Sequence, residues 1–425
     1  MSTKTRTSTF MKLSAGLAVG ALALAACSSG GGGGAGDDDG GDGGQEVTFW
    51  GNWTGEQATQ IETQVEAFNA SQDDYVVTYQ PQEEVEAKLL TAIAGGGVPD
   101  VVLWDRFATS VYASKGALMS LEDLIAEDSV DTSMFYEAAL NELTYDGTVY
   151  GIPLTVDNRS LFYNEDLLTE AGLEPPTNWA ELADAAEALT VREGGTLARS
   201  GFALSDVGLF SMWLGQAGGQ MVSDDGQAAF NTPEGLAVLE EWDDLMNNRG
   251  VYDLGFAEGT DGFAEGTVAM AYNGPWTLAT YDAIEDLNYG IVAAPAGPNG
   301  DQASGLGGFG MIIPEGAPNV EGAWEFIKWW TTQPENGVAF AELSGNMPAN
   351  LQAAEDPFFT ENEAYSALLE TMAFATARPT IPGYSDAEGQ GLIPELQRFM
   401  AGEISAQEAL DNAEESFNRI LAENA

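Results

Sequence analysis

Two charged residues, Asp105 and Arg106, directly follow a short apolar run, and both side chain types bind ligands through strong hydrogen bonds. The run, residues 101–104, comes after three glycines and a proline, which is typical of a strand buried on both faces. In an open parallel sheet the carboxyl ends of the strands line the ligand crevice. The two residues are therefore candidate ligand contacts, and an ordinary surface ion pair is the alternative.

Two tryptophans lie in or beside predicted turns, where a large apolar ring is unfavourable unless something covers it. Trp53 follows Asn52 after the first predicted strand, and its cover is either a neighbouring loop or a flat ligand. Trp276 follows the turn at 273–275 and opens the next predicted helix, so it packs either into the core or against a ligand. Asn52, Trp53 and Trp276 are therefore further candidates.

The composition excludes several classes of enzyme and metal site. The chain has no histidine, which excludes a Ser-His-Asp triad, a Cys-His pair and histidine-ligated zinc. Its one cysteine, Cys27, allows neither an intrachain disulfide nor a thiolate metal cluster. We expect no catalytic residues, no bound metal and no cofactor.

Charge and length set further limits. The formal net charge is -53 at pH 7, from 67 acidic and 14 basic residues. Nucleic acid and anionic lipid head groups both favour a basic surface, so neither is expected to bind directly. With 425 residues, of which 44% are hydrophobic, the chain is long enough for two domains with sizeable cores.

The first 26 residues have the pattern of a secretory signal. Three basic residues precede an uncharged apolar stretch, 13–26, which is too short for a comfortable membrane span. The stretch ends in Leu-Ala-Ala before Cys27, which resembles the bacterial lipoprotein signal, in which this cysteine becomes the first mature residue and carries lipid. We predict a signal peptide over 1–26 and a lipid anchor at Cys27. A plain signal peptide with an incidental cysteine is the alternative.

The elements after this leader decide where the candidates lie. Residues 27–45 are mostly glycine, serine and aspartate, which predicts a flexible linker. Beyond it the pattern predicts strands at 46–50, 75–79 and 101–104, with a helix opened by a capping box at Thr54 and another over 85–93. This βαβαβ order implies a parallel sheet with right-handed crossovers. The ends of its strands therefore bring Asn52-Trp53 and Asp105-Arg106 to one edge.

The remaining chain is predicted to pass between two lobes. Residues 155–159, which include Asp157, form the first crossing, and residues 291–294 return the chain. Strands are predicted at 147–153, 161–163, 201–204 and 268–272, and helices open at Asn178, Thr232 and Ser405. A strand over 306–313 contains three glycines, which often mark a close approach of backbone or ligand. Gly308 and Phe309 are therefore candidates as well.

Several longer motifs share their order and spacing with a known family. They are the lipoprotein leader, PDVVLWDRF at 99–107, VYGIPLTVDNRSLFYNEDLL at 149–168, FAEGTVAMAYNGPW at 263–276 and the glycine-containing strand at 307–308. Over nearly all of the chain beyond the leader, the sequence resembles the extracellular sugar-binding proteins of ABC importers, in the maltose- and trehalose-binding group. The resemblance implies an α/β fold of two lobes, like that of periplasmic binding proteins, with open doubly wound sheets joined by a hinge. It also implies a sugar ligand, two permease subunits and a cytoplasmic ATPase pair as partners.

The resemblance assigns roles to individual residues. It implies that Asp105 and Arg106 hydrogen-bond sugar hydroxyls, that Asp157 does so from the hinge, and that Trp276 lies under a sugar ring. The familiar maltose binders have additional residues between Trp104 and Asp105, and a glutamate in place of Asp157. The identity of the sugar therefore stays open.

The second lobe and the lobe boundaries follow from the same resemblance. Arg378 and Tyr384 resemble contacts that the second lobe makes with the sugar. Each lobe is expected to be built from discontinuous segments: 46–155 plus 293–331 for the first lobe, and 156–292 plus 332–425 for the second.

The chemistry of the candidates suits a neutral sugar. Carboxylates and guanidinium groups form short hydrogen bonds with pairs of hydroxyls, while indole and phenol rings cover the apolar faces of a sugar ring. Dividing these groups between two lobes makes binding and closure one event. We predict a monomeric, non-catalytic receptor, anchored by lipid to the outer face of the cytoplasmic membrane, that delivers a carbohydrate to an ABC permease.

Three alternatives stay open at this point. A secreted glycoside hydrolase would use a pair of the many carboxylates, although the strand order favours open sheets over an eightfold barrel. The same fold could instead bind a peptide, a polyamine or a glycerol phosphate. A third alternative is a purely structural surface lipoprotein, but it gives the aromatic residues in the turns no role.

Overall fold

The computed structural model describes residues 44–424. The signal peptide predicted over 1–26, the anchor at Cys27 and nearly all of the linker over 27–45 lie outside these residues. The strands are β1 Gln45–Gly51, β2 Tyr75–Pro81, β3 Val101–Asp105, β4 Thr144–Tyr145, β5 Thr148–Val149, β6 Gly151–Pro153, β7 Thr155–Asn158, β8 Ser160–Asn164, β9 Val191–Glu193, β10 Thr196–Arg199, β11 Met270–Asn273, β12 Tyr289–Val292, β13 Ser304–Gly307, β14 Phe309–Ile312, β15 Met347–Pro348 and β16 Ala375–Ala377.

The helices alternate with these strands along most of the chain. They are α1 Gly55–Ser71, α2 Val85–Gly95, α3 Thr109–Ser114, α4 Glu122–Glu127, α5 Glu137–Glu142, α6 Glu165–Ala171, α7 Trp179–Leu189, α8 Phe210–Gln216, α9 Pro233–Asp243, α10 Leu278–Asp282, α11 Val320–Thr332, α12 Pro334–Ser344, α13 Leu351–Ala354, α14 Pro357–Thr360, α15 Glu363–Met372, α16 Tyr384–Asp386, α17 Ile393–Met400 and α18 Ala406–Glu423. Across the described part of the chain, no helix has the length and hydropathy needed to cross a membrane.

The first lobe is built on a five-stranded sheet with the order β2-β1-β3-β14-β6. β1 is parallel to both β2 and β3, which confirms the predicted βαβαβ unit. β3 is buried on both faces, because Val101 and Leu103 join one apolar cluster while Val102 and Trp104 join another. The buried run predicted from the sequence is therefore confirmed, and it places Asp105 at the end of a rigid strand.

The second lobe is built on a three-stranded antiparallel sheet with the order β11-β8-β12. Its core contains many aromatic rings, with Trp213 in edge contact with Phe202, Trp242 and Tyr272. α18 closes this core through Phe417, which packs against Phe230 at a centroid distance of 5.4 Å. These rings give the second lobe a core separate from that of the first sheet.

A third sheet lies between the two lobes and contains part of each of the two segments by which the chain passes between them. It has the order β15-β7-β13-β16, with β7 antiparallel to β13. The chain enters it from β6 after Leu154 and continues from β7 into β8 of the second lobe. The chain returns to the first lobe through β13, which belongs to the third sheet, and then β14, which belongs to the first sheet. We call the two segments 151–158 and 304–312 the crossing segments.

The predicted continuous strand over 306–313 is broken in the structure at Gly308. Its φ angle is +126°, a conformation that favours glycine, and a side chain there would collide with the carbonyl of Thr155. The prediction of one strand is therefore wrong in this detail, because β13 and β14 pair with different sheets.

Local sequence patterns correctly predicted most helix starts. The side chains of Asn178, Thr232 and Ser405 each accept a hydrogen bond from the backbone of their own helix, three residues on. Thr54 also occupies a cap position, but its side chain makes no capping bond. The strand predicted over 201–204 is absent from the structure, which shows only an isolated bridge between Ser200 and Val268.

Candidate ligand-binding cleft

A cavity of about 600 Å³ lies between the two lobes, beside the crossing segments. Seven of the residues predicted from the sequence line it, and they come from both lobes and from the segments between them: Asp105, Asp157, Trp276, Gly308, Phe309, Arg378 and Tyr384. The predicted residues Asn52, Trp53 and Arg106 are not part of this lining. The structure therefore gathers most of the candidates into one cleft and places three elsewhere.

Trp53 is covered by aromatic neighbours of the first lobe. It is 6% exposed, and its ring lies 5.0 Å from that of Phe309, edge-on, and 6.1 Å from that of Phe340, nearly parallel. The backbone carbonyl of Trp53 accepts a hydrogen bond from the Tyr79 hydroxyl at 2.9 Å. Trp53 thus supports Phe309 from behind, while Asn52 is exposed to solvent.

Arg106 lies behind the wall of the cleft. Its side chain is fully buried, and its Nε donates to Glu142 Oε2 at 3.0 Å. Its other two nitrogens donate to the backbone carbonyls of Thr155 and Gly307. All three nitrogens are therefore engaged within the protein, in contrast to the sugar contact that the resemblance implies.

Asp105 faces the cleft from the end of β3. Removal from water raises the pKa of its carboxyl group to about 7. The Arg378 guanidinium lowers this pKa and the Asp157 carboxylate raises it, so the effects of the two neighbours oppose each other. Asp105 consequently exists in protonated and ionised forms near neutral pH, and the two forms offer a hydroxyl group different hydrogen bonds.

Asp157 lies on β7, and Arg159, which was not predicted as a site residue, lies in the one-residue link between β7 and β8. Arg159 Nη1 is 3.3 Å from Asp157 Oδ1, and its guanidinium carbon lies 4.3 Å from the centre of the Trp276 ring. Gly307 lies opposite, where a side chain would collide with the Asp157 carboxylate. The pattern that marks Arg159 is its position two residues after Asp157, on the same side of an extended segment.

Arg378 and Tyr384 close the cleft from the segment after β16. Arg378 Nε donates to Glu388 Oε2 at 3.0 Å, and its guanidinium carbon lies 5.2 Å from the centre of the Phe107 ring. The Tyr384 hydroxyl lies 3.5 Å from Glu388 Oε1. Glu388 lies on a π-helical turn and was not predicted, because its spacing from Arg378 fits no regular helix or strand pattern.

One part of the cleft wall is apolar and was not predicted either. Met212, Met221, Val222 and Phe374 line the cavity beside α8. In the sequence these residues look like ordinary core positions, and no spacing distinguishes them. They give the cleft apolar surface next to its paired charges, the combination typical of small-molecule sites.

The described residues contain no group of three acidic, cysteine or histidine side chains arranged to hold a metal ion. The cleft does offer hydrogen-bonding charges and ring faces. The carboxylates of Asp105 and Asp157 both face a cavity in which two arginines are also present.

Comparison with known proteins gives a consistent result. A profile of bacterial extracellular solute-binding proteins matches residues 63–367. The maltodextrin-binding protein MdxE of Bacillus subtilis is 30% identical over 318 residues, which cover 72% of this chain and 74% of that protein.

Solved structures show the same similarity. The cyclic alpha-maltosyl-1,6-maltose binding protein from Arthrobacter globiformis has a TM-score of 0.75 and 28% identity, over 90% of this chain and 100% of that chain. The GacH receptor of Streptomyces glaucescens, known with acarbose, has a TM-score of 0.79 and 27% identity, over 90% of this chain and 100% of that one. The two-lobed α/β architecture is therefore shared across the whole folded part.

Proposed function

The chain belongs to the family of bacterial extracellular solute-binding proteins, and we propose that it binds a carbohydrate between its two lobes and delivers it to an ABC permease. The observation that carries this proposal is the composition of the cleft. Asp105 and Asp157 offer oxygens to hydroxyl groups, and Trp276 and Phe309 offer ring faces to the apolar side of a sugar.

The charges of the cleft favour a neutral ligand over a phosphorylated one. Arg159 is paired with Asp157, and Arg378 is paired with Glu388. A phosphate would have to compete with these carboxylates for both guanidinium groups. A sugar hydroxyl, in contrast, is neutral and hydrogen-bonds a carboxylate oxygen without separating either ion pair.

A thermal-shift screen over monosaccharides and oligosaccharides tests the proposal, because a ligand that binds only the folded form raises the melting temperature. We expect at least one sugar to raise it, and glycerol 3-phosphate, a polyamine and a peptide to leave it unchanged. Asp105→Ala and Trp276→Ala should abolish the rise, whereas Asn52→Ala, which lies outside the cleft lining, should keep it.

Two results would contradict this function. A screen in which only a phosphorylated, cationic or peptide ligand raises the melting temperature would assign another solute to the same fold. The appearance of new reducing ends during incubation with oligosaccharides would show a glycoside hydrolase.

We infer that the lobes follow the boundaries predicted from the sequence, 46–155 plus 293–331 and 156–292 plus 332–425, with one refinement at α12. α12 packs on the first lobe, where Phe340 lies 5.0 Å from Trp330 and nearly parallel to Trp53. This packing supports a first lobe that extends to Ser344. Limited proteolysis, with fragments identified by mass, tests the boundary.

We further propose that the mature protein is a monomer anchored by lipid on Cys27 to the outer face of the cytoplasmic membrane. The lipoprotein-like leader and the linker over 27–45 support this location. A Cys27→Ala variant should appear in the medium instead of the membrane fraction, and the wild-type protein should carry lipid by mass spectrometry. Equal membrane retention of both proteins would contradict the anchor.

A further inference from the structure

The buried guanidinium of Arg106 lies where both crossing segments change sheets. One segment changes between Pro153 and Thr155, and the other between Gly307 and Phe309. Arg106 hydrogen-bonds the carbonyl oxygens of Thr155, of Gly307 at 2.5 Å and of Phe309 at 3.4 Å. A single side chain of the first lobe therefore holds both segments at the point where they leave that lobe.

The first lobe fixes this guanidinium in turn. Glu142, at the end of α5, accepts a hydrogen bond from Arg106 Nε at 3.0 Å, and the two side chains are 3% and 0% exposed. A planar guanidinium presents its donors in a rigid fork, which a lysine ammonium does not reproduce. Removing the fork would take this donor away from the buried Glu142 carboxylate and the buried Thr155 carbonyl, which is strongly unfavourable.

The break at Gly308 provides the room for this arrangement. A side chain at Gly308 would collide with both the Thr155 carbonyl and the Arg106 guanidinium. In addition, the Thr155 hydroxyl accepts a hydrogen bond from the Phe309 amide at 3.1 Å, and the Leu154 amide donates to the Phe309 carbonyl at 2.9 Å. The two segments are thus tied to each other as well as to Arg106.

We propose that Arg106 is a positioning residue that fixes the pivot of lobe closure and makes no contact with the ligand. Asp105, its immediate neighbour in the chain, faces the cleft, so the same backbone carries a ligand-facing carboxylate and the pivot. The link to sugar binding rests on the proposed function, whereas the fixing of the crossing segments does not.

Hydrogen exchange in the unliganded protein tests the pivot directly, because amides exchange through local opening. In Arg106→Lys we expect exchange in the peptides covering 149–158 and 304–312 to rise about tenfold or more, while β1 and β2 keep their wild-type rates. Arg249→Lys is the matched control, since Arg249 also pairs with several carboxylates but lies in the second lobe. It should leave both crossing segments unchanged.

Wild-type exchange in both crossing segments of Arg106→Lys would overturn the proposal, as would an equal rise throughout β1, β2 and β3. If Arg106→Lys does not fold, Glu142→Gln decides, because the amide keeps an acceptor for Nε but loses the charge. We expect a rise of a few-fold in the same two segments of Glu142→Gln, and the absence of any rise would overturn the proposal.

Sugar binding separates a positioning role from a direct contact. Using the sugar with the largest thermal shift, we expect Arg106→Lys to bind more weakly and also to show the faster exchange without ligand. Weaker binding with unchanged exchange would indicate that Arg106 contacts the sugar, and would overturn the proposal. If no sugar binds the wild-type protein but the exchange result holds, the proposed function fails and the pivot remains supported.

Discussion

Individual residues in the cleft are already paired with one another before any ligand is considered. Arg159 lies over the Trp276 ring and pairs with Asp157, while Arg378 lies near the Phe107 ring and pairs with Glu388. A sugar stacking on the face of Trp276 that Arg159 covers would have to displace the guanidinium from the ring. Stacking on that face would be an exchange of partners, and its free energy would be reduced by that of the contact it replaces.

Replacing Arg159 by leucine should strengthen sugar binding. The guanidinium competes for the Trp276 ring, and a cation–π contact contributes about 0.5–1 kcal/mol at exposed sites, so we expect Kd to fall by about two- to fivefold. Isothermal titration calorimetry measures the change. Arg249→Leu, a substitution of the same kind outside the cleft, should leave Kd unchanged. Weaker binding by Arg159→Leu would show that Arg159 turns to hydrogen-bond the sugar.

Replacing Asp105 by asparagine should change how stability depends on pH. The pKa of Asp105 rises from 3.8 to about 7 because folding buries the carboxyl group. Between these values the folded state holds more protons than the unfolded state, so this residue makes the free energy of unfolding decrease as pH rises. We therefore expect the melting temperature of Asp105→Asn, relative to wild type, to be higher at about pH 8 than at about pH 4 by about 2 °C or more.

Asp131→Asn provides a control of opposite sign for this measurement. Hydrogen bonds from Ser133 lower the pKa of Asp131, so its removal should reduce stability at the higher pH. An Asp105→Asn difference that is the same at both pH values would contradict the raised pKa of Asp105.

The residue types of the cleft were predictable from the sequence, but the directions of several side chains were not. Asp105 and Trp276 line the cavity as predicted, since a strand end and a turn must lie at the edge of their sheets. Arg106 and Trp53 also lie just after a strand, but their side chains are buried inside the protein. Whether a residue just after a strand turns inward depends on partners such as Glu142 and Phe340, which are distant in the chain.

At the scale of elements, the two crossing segments form two of the three connections between the lobes, and the third follows α12. Each changes sheet within one residue, at Leu154 and at Gly308, so neither provides a long flexible connection. Their hydrogen bonds to each other and to Arg106 hold these two connections together where they leave the first lobe. Lobe closure is therefore expected to be a rotation of two rigid bodies.

Replacing Gly308 by alanine should destabilise the protein strongly. Its φ of +126° is unfavourable for alanine, and the added carbon would collide with the Thr155 carbonyl, so we expect a loss of about 1–3 kcal/mol or more in the free energy of unfolding. Urea denaturation measures it. Gly305→Ala is the matched control in β13, because no atom lies within 4 Å of the new carbon. Equal stability of the two variants would contradict the strain at Gly308.

The positions of strands and helices were easier to predict from the sequence than the sheet to which each strand belongs. The βαβαβ unit was correctly predicted because parallel strands and their helices are consecutive in the chain. The division of 306–313 into β13 and β14 was not, since three glycines in a strand indicate a close approach without saying which sheet each half joins. That choice is made by contacts with β7 and β3, far apart in the sequence.

At the scale of the whole molecule, an apolar core and a large surface charge act in opposite directions. The apolar cluster around the first sheet continues through the crossing strands to Phe162, Phe263 and Tyr281 beside the second sheet. This continuity stabilises the packing of the crossing strands by burying apolar surface. The formal charge of -53, in contrast, favours expansion through self-repulsion.

Added salt should therefore stabilise the protein. Screening weakens repulsion among the 67 acidic residues more than it weakens the few ion pairs, since only 14 basic residues are present. We expect the melting temperature to rise by a few degrees between about 0.05 M and about 0.5 M sodium chloride. Sucrose at equal osmolality is the control for general solute effects. A melting temperature that falls or stays constant with salt would contradict the role of self-repulsion.

The carboxyl group of Asp105, at the end of β3, also makes ligand binding in the cleft dependent on the pH of the solution. Asp105 is partly protonated and partly ionised near neutral pH. A ligand that prefers one of these forms would therefore make the protein take up or release a fraction of a proton on binding. The heat of docking then includes the ionisation enthalpy of the buffer, and titrations in Tris and in phosphate differ by an amount that counts the transferred protons. Such a difference between the two buffers would measure occupancy of the cleft without depending on any change in its shape.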